Sequence, residues 1–214
     1  MYLPKQFEET RTEVLHDLVR RRSFGTLVAM TSDGLSVDHM PFLIDATTGP
    51  LGTLRAHVAR ANPLWRATLA DVDAVAIFQG PDHYISPSWY ATKKETGKVV
   101  PTWNYAVVHA YGRPRFVDDE AWLREHLNHL THHHEGKRET PWMVSDAPDE
   151  YLSRLLGAIV GVEIPIGRLS GKWKLGQNRS DIDRMGMVNG LLHEKEESAD
   201  ALAALIRETG GGPK

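Results

Sequence analysis

The segment from residue 55 to residue 63 combines residue types that bind anions. His57 lies in a predicted strand, and Arg60 and Asn62 follow at its exit, directly before a short predicted helix. Arginine holds phosphate oxygens in a bidentate fork, and the free N–H groups at a helix start add to the attraction. The segment therefore predicts an anion site. A surface arginine followed by a helix-capping asparagine explains the same residues equally well.

Two later segments, residues 83–90 and 101–105, are dense in aromatic side chains and hydroxyl groups. A flat heteroaromatic cofactor needs apolar faces that cover its rings and fixed polar atoms that contact its edge. Thr102, Trp103 and Asn104 provide this mixture. An interface between two copies of the chain is the alternative interpretation, and both hold if the site lies between subunits.

Residues 171–179 follow the last predicted strand and read Gly-Lys-Trp-Lys-Leu-Gly-Gln-Asn-Arg. Lys174 and Gln177 are suited to face the electron-rich edge of such a cofactor, where a positive charge stabilises the reduced, anionic form. A basic turn that ends in a helix cap at Asn178 or Ser180 is the alternative.

Several histidines crowd the end of one predicted helix: His126, His129, His132, His133 and His134. Neutral imidazoles suit Zn, Cu or Ni. Neither a cysteine nor an H-E-x-x-H arrangement accompanies them, so we expect no bound metal. A Ser-His-Asp hydrolase is not indicated either, because the chain has no G-x-S-x-G sequence. The sequence therefore identifies no catalytic residue.

The elements that must position these residues follow one another mostly as hairpins. A hairpin is predicted at residues 24–30 and 35–44, and further strands at residues 51–58, 73–79, 103–117 and 158–168. Helical periodicity covers residues 6–22, 119–156 and 178–209. Within the second segment we predict two helices, one from residue 119 toward His134 and one at residues 149–156. Within the third we predict another two, at residues 181–191 and about 198–208. Strands and helices do not alternate regularly, so we predict an α+β chain. It would be one domain, residues 1–214, with an antiparallel barrel and added helices.

The composition limits the classes of function. The 214 residues include no cysteine, which excludes disulfides and thiol chemistry. The formal charge is -3, and the one compact basic run, Arg20-Arg21-Arg22, lies at a predicted helix end where cations favour the helix dipole. DNA binding is therefore possible but not supported by the charge pattern. The first residues lack the apolar run of a signal peptide, and no apolar stretch is long enough to span a membrane. We expect a cytoplasmic protein.

Taken in order along the chain, the motifs resemble the PaiB family. They are Met1-Tyr2-Leu3-Pro4, His39-Met40-Pro41, residues 57–63 (HVARANP), 80–90 (GPDHYISPSWY), 100–105 (VPTWNY) and 171–179 (GKWKLGQNR). Gly176 departs from the pattern, where a serine is expected. The resemblance implies a mainly antiparallel split β-barrel of the FMN-binding type, with N-terminal and C-terminal helices. It also implies a homodimer with FMN at the subunit boundary.

The resemblance further implies nine cofactor-binding residues. We expect the phosphate and ribityl end near His57, Arg60 and Asn62, the ring system near Thr102, Trp103 and Asn104, and closure by Trp173, Lys174 and Gln177. The family is one of FMN-binding negative transcriptional regulators, so regulation is expected, either direct or indirect. Two alternatives remain open: an FMN-dependent oxidoreductase or flavin reductase, and a barrel of the same type that binds haem.

Overall fold

A computed structural model describes residues 1–209, in two compact units. The first unit contains residues 1–10, 79–108 and 170 onward, and the second contains residues 11–78 and 109–169. The single domain expected for residues 1–214 extends past the described residues and stays a prediction.

The bounds of the elements are as follows. The strands within residues 1–209 are β1 (Glu8–Glu9), β2 (Phe24–Thr31), β3 (Gly34–Pro41), β4 (Leu43–Asp45), β5 (Thr53–Ala59), β6 (Ala74–Ile85), β7 (Thr102–Gly112), β8 (Arg115–Val117), β9 (Ile159–Pro165) and β10 (Arg168–Lys174). The helices are α1 (Thr12–Arg21), α2 (Leu64–Ala67), α3 (Lys93–Thr96), α4 (Glu120–Glu135), α5 (Asp149–Leu156), α6 (Asp181–Glu194) and α7 (Glu197–Glu208). Short 3-10 turns form at Lys5–Phe7, Pro87–Trp89 and Val144–Asp146.

The predicted hairpin is present in the second unit. Strands β2 and β3 pair antiparallel in the register Phe24↔Pro41 to Thr31↔Gly34, and the start of β6 pairs with β2 on its other side. Side chains on β2 alternate between buried and more exposed positions. This alternation is the period of two that the sequence displays, because successive side chains of a strand point to opposite faces.

A second antiparallel sheet in the same unit has the order β4-β5-β9-β8. The strand predicted at residues 103–117 is in fact two strands, β7 and β8, which belong to different sheets. The interruption follows from Pro114, which has no N–H to donate to a sheet ladder. The chain therefore changes sheet at this proline.

The first helix of the second unit is shorter than its sequence periodicity indicates, because the predicted segment 6–22 is an α-helix only from Thr12. The two helices predicted within residues 119–156 form as α4 and α5, with an irregular stretch after Gly136. The Asp119 side chain caps α4 by accepting the N–H of Trp122 at 2.7 Å. Both helices contribute to one buried cluster, which consists of Leu123, Val144, Leu152 and Leu156.

The first unit contains two strands that the sequence did not predict. Strand β1 pairs with β10 in the register Glu8↔Lys172 and Glu9↔Gly171. Charged residues in these strands hide the usual apolar signal, although Glu9 and Lys172 are both buried. Strand β6 also continues to Ile85, further than predicted. Helices α6 and α7 follow β10 within the predicted segment 178–209 and pack through buried residues such as Leu191 and Leu202.

Candidate functional site

Two exposed aromatic rings meet in the first unit, where β6 ends and β7 begins. The ring centroids of Tyr84 and Trp103 are 6.2 Å apart, with an angle of 71° between the ring planes. Trp103 is 54% exposed and Tyr84 is 42% exposed. Large aromatic side chains left in contact with water in a pair form a surface that a flat apolar ring can cover. This pair is the centre of the candidate site.

An ammonium group is fixed beside this aromatic pair. Lys174, at the end of β10, donates hydrogen bonds to the hydroxyl of Thr102 at 2.5 Å and to the carbonyl of Trp103 at 2.7 Å. Burial lowers the pKa of Lys174, and the nearby positive charges of Lys172 and Arg179 lower it further. The structure thus brings Thr102, Trp103 and Lys174 together, as the sequence predicted for one site.

The other predicted residues of this unit are less accessible. The side chain of Gln177 accepts the N–H of Leu175 at 2.9 Å and donates to the carbonyl of Trp173 at 2.5 Å. Trp173 and Asn104 are buried, and the Asn104 amide lies 3.6 Å from the sulfur of Met187. These three residues shape the chain around Lys174 and do not present free polar atoms at the surface.

The conformation of Gly176 explains why a serine is absent at this position. Its φ is +79°, a left-handed conformation that favours glycine. A Cβ at this position would also collide with the methyl group of Met187. The glycine therefore permits a tight turn against α6, and a serine here would require a different position for Met187.

A feature that sequence reasoning missed holds the aromatic loop in position. Trp89 packs against α6 at Gly186 and Gly190, where any Cβ would collide with the Trp89 backbone or ring. Nearby, the carboxylate of Asp183 accepts the N–H of Thr92 at 3.0 Å and its hydroxyl at 2.8 Å. The sequence contains a signal for this contact, namely two glycines four residues apart on a predicted helix. Residues at this spacing lie on the same helix face, and without side chains they leave a groove there.

The three predicted residues of the second unit bind separate partners. Arg60 donates to both carboxylate oxygens of Asp118, at 2.8 and 2.5 Å, and to the carbonyls of Gly157 and Ile159, at 2.7 and 3.1 Å. These bonds use four of its five N–H donors. The guanidinium therefore ties the end of β5 to the end of β8 and the start of β9, as a structural residue does.

Asn62 and His57 also have protein partners. The Asn62 side chain accepts the N–H of Leu64, the first residue of α2, at 2.9 Å and donates to Asp38 at 2.6 Å. This is the helix-capping interpretation of the sequence. His57 Nδ1 lies 3.1 Å from His126 Nε2, and burial lowers the pKa of His57.

The histidine-rich end of α4 forms no metal centre that the structure reveals. Across residues 1–209, no group of three or more His, Asp or Glu side chains has the arrangement of a metal site. In the same part of the chain, every helix is too short or too polar to span a membrane.

The comparisons with known proteins identify the family of the chain. The family described as "Putative FMN-binding domain" matches residues 1–168. The chain is 34% identical to an uncharacterised protein of Emericella nidulans, over 98% of each chain. It is 32% identical to protease synthase and sporulation protein PAI 2 of Bacillus subtilis, over 97% of each chain.

A solved structure shows the same fold at low sequence identity. The flavocytochrome Anf3 of Azotobacter vinelandii superposes with a TM-score of 0.56 at 17% identity, covering 84% of this chain and 75% of that one. The predicted α+β fold, a mainly antiparallel split β-barrel with added helices, is confirmed. Together with the family match and the relative in Bacillus, this fold shows that the chain belongs to the PaiB family of FMN-binding domains.

Proposed function

We propose that this chain binds FMN, with the ring system against Trp103 and Tyr84 and beside Lys174. The observation that carries the proposal is the exposed aromatic pair next to a fixed ammonium group, in a chain of an FMN-binding family. Aromatic side chains bind flat rings at low entropic cost, because each has only two rotatable bonds. The hydroxyl of Thr102 adds a polar atom for the ring edge.

Asn104, Trp173 and Gln177 support this site in the proposal. They are buried or hydrogen-bonded to backbone, and they hold the ends of β7 and β10 that carry Trp103 and Lys174. When bound, FMN would supply electron-transfer and hydride chemistry. The Lys174 ammonium would favour the anionic reduced form, because a nearby positive charge stabilises negative charge.

Independently of the ring site, we propose that His57, Arg60 and Asn62 bind a phosphate and ribityl group. A phosphate would compete with Asp118 for the Arg60 guanidinium, since four of its donors are already used. This gives a paired test. If the phosphate binds Arg60, then Arg60→Gln weakens FMN binding, whereas Asp118→Asn, which removes the competing charge, strengthens it. If both variants bind FMN as the parent does, the phosphate lies elsewhere.

The cofactor is tested first on the purified protein. We expect a flavin absorption spectrum, release of FMN on denaturation, and tighter binding of FMN than of FAD. FMN is favoured because the sequence has no Gly-rich dinucleotide loop for an adenylate. Tighter binding of FAD would contradict the proposal, and a haem Soret band without flavin would favour the haem alternative.

The ring site is tested by substitution. Trp103→Leu should weaken FMN binding about fivefold or more, because the ring loses its main apolar cover. Trp142→Leu is the matched control, since Trp142 is 49% exposed but lies in the second unit. Equal FMN affinity of the two variants would exclude Trp103 from the site.

We also propose that the chain forms a homodimer through the outer face of the hairpin β2–β3. Leu35 is 70% exposed, Phe24 69% and Val37 57%, and Met30 stands opposite Leu35 on the same face. An apolar face of this kind on a soluble domain is typical of a protein contact. We propose a second copy of the chain as the partner that covers this face, because the family resemblance implies a cofactor site at the boundary between two subunits.

The proposed biological role is negative regulation of transcription, acting directly or indirectly. Its support is the similarity to a Bacillus protein named for protease synthesis and sporulation, along with family membership. The test is transcript profiling of a deletion strain, complemented either with the natural gene or with the Trp103→Leu variant. If regulation depends on flavin, the natural gene restores the transcript profile and the Trp103→Leu variant does not.

An FMN-dependent oxidoreductase is the second candidate, because the fixed cation of Lys174 suits a reducible ring. Steady-state oxidation of NADH or NADPH by the FMN-loaded protein distinguishes the two roles. Turnover above that of free FMN indicates an enzyme, and the absence of turnover favours a sensor.

A further inference from the structure

The second unit contains an open cavity of about 440 Å³ that no part of the flavin proposal uses. Its walls come from the end of α1, from β4 and β5, and from the histidine-rich end of α4. All of its lining residues lie within residues 11–78 and 109–169. Its volume is in the range of pockets that bind small organic molecules.

The lining of the cavity combines apolar residues with nitrogen-rich side chains. Leu43 and Ile44 of β4 are apolar lining residues, and Arg20, His129 and His132 are nitrogen-rich ones. Guanidinium and imidazole N–H groups are hydrogen-bond donors, and a guanidinium matches a planar carboxylate in a bidentate fork. The cavity therefore offers an apolar surface next to several donors.

The other charged residues that line the cavity, Arg55 and Asp45, are in ion pairs. Arg55 lies 3.5 Å from Asp45 and 3.3 Å from Glu163, and Glu163 also pairs with Arg115 at 3.0 Å. The hydroxyls of Thr47 and Thr48 also donate to Asp45, each at 2.6 Å, and these bonds lower the pKa of Asp45 to about 2. Two arginines thus balance two carboxylates.

Arg20 remains as the unbalanced charge. Among the ion pairs of the described residues 1–209, none includes the Arg20 guanidinium. The Arg20 side chain is exposed, lies at the end of α1 and lines the cavity. A cation that lines a half-apolar cavity attracts an anion.

From this arrangement we propose that the cavity is a second ligand site, which binds a small organic carboxylate with an apolar body. The apolar body contacts Leu43 and Ile44, and the carboxylate accepts hydrogen bonds from Arg20 and from the imidazoles of His129 and His132. None of its lining residues belongs to the proposed flavin site, and the proposal goes beyond the proposed function. It also gives the α4 histidines a role that needs no metal.

The test uses 2-naphthoate as the probe and the full-length, FMN-treated protein. Binding is followed by calorimetry and by backbone amide shifts in a ¹H–¹⁵N spectrum. We expect saturable binding with the largest shifts at residues 43–45 and 129–133, and no change in FMN affinity at saturating probe. The neutral isostere 2-naphthalenemethanol should bind at least about fivefold more weakly, since it lacks the charge.

Two variants make the test specific. Arg20→Gln should weaken naphthoate binding about fivefold to tenfold, because it removes the unpaired charge. Arg22→Gln is the matched control on the same helix end, since Arg22 does not line the cavity. The proposal is overturned if both variants bind alike, if naphthoate displaces FMN, or if the largest shifts fall in the first unit.

Discussion

The imidazole of His57 on β5 lies 3.1 Å from that of His126 on α4, measured from Nδ1 to Nε2. His126 is only 2% exposed, and the ring of Trp122 stacks on it at 5.2 Å between ring centroids. Its second nitrogen, Nδ1, is buried without a hydrogen-bond partner among residues 1–209. A proton that charges this ring has no good partner, so protonation and folding oppose each other.

This pair predicts loss of stability in acid. Burial, with the positive charges of His57 and Arg55, lowers the pKa of His126 from 6.5 to about 3. Between these values the unfolded chain binds a proton that the folded chain does not. The free energy of unfolding should therefore fall as the pH drops below 6.5, by up to about 1.4 kcal/mol per pH unit.

The measurement is urea unfolding at pH 7.5 and pH 5.0 for three proteins, which covers about 1.5 pH units of the range below 6.5. His126→Leu should show a smaller loss in acid than the parent, because one titrating group has been removed. His134→Leu, an exposed histidine of the same helix, should behave as the parent does. Equal acid losses in the parent and His126→Leu would show that His126 is not responsible.

The groove on α6 predicts an unusual response to alanine. Alanine normally stabilises a helix relative to glycine, by about 0.5–1 kcal/mol. At Gly190 the added methyl group would overlap the ring of Trp89, so Gly190→Ala should instead lower the free energy of unfolding by about 1–3 kcal/mol. The neighbouring exposed residue gives the control, because Asn189→Ala should be neutral or slightly stabilising. A stabilised Gly190→Ala protein would mean that Trp89 does not occupy this groove.

The position of Lys174 predicts a shift in flavin potential. Lys174→Met should make the two-electron midpoint potential of bound FMN more negative by about 30 mV, equivalent to about 1.4 kcal/mol, because the anionic reduced form loses a nearby cation. In Lys174→Arg, the midpoint potential of bound FMN should stay close to that of the parent. Lys98→Met, at an exposed loop position, serves as the charge-matched control. A potential that is unchanged in Lys174→Met would place the ring away from this ammonium group.

The proposed dimer predicts that a charge on the hairpin face separates the subunits. Sedimentation at micromolar concentration should give twice the 24.0 kDa chain mass for the parent. Val37→Glu should sediment as a monomer, because a buried unpaired carboxylate is costly in an interface. Leu155→Glu changes an exposed leucine outside the hairpin and should remain dimeric. A dimeric Val37→Glu protein would require a different interface.

The charge balance predicts weak DNA binding. With 25 basic and 28 acidic side chains, few phosphates can be neutralised, so affinity for duplex DNA should be low with a shallow salt dependence. A binding isotherm on a promoter fragment at two salt concentrations, with a scrambled competitor, measures this. Nanomolar binding that resists the competitor would instead indicate a direct repressor, for which dimerisation brings two Arg20-Arg21-Arg22 runs together.

The sequence by itself determined the fold class and the family. Apolar alternation identified the hairpin β2–β3, and the order of the motifs identified the family. Thr102, Trp103 and Lys174 came together as predicted, because the first two are adjacent in sequence and the third belongs to a distinctive motif. Such patterns are local, and consecutive residues carry them completely.

Only the tertiary structure decided which polar side chains already have hydrogen-bond partners within the folded chain. Arg60 pairs with Asp118, 58 positions away, and His57 pairs with His126, 69 positions away. Strand β10 escaped prediction because Lys172 is buried against Tyr2 and Tyr105, contacts that no local pattern reveals. A periodic pattern tells which face of an element is buried, but the partner of a buried charge is chosen by elements that are distant in sequence and adjacent only after folding.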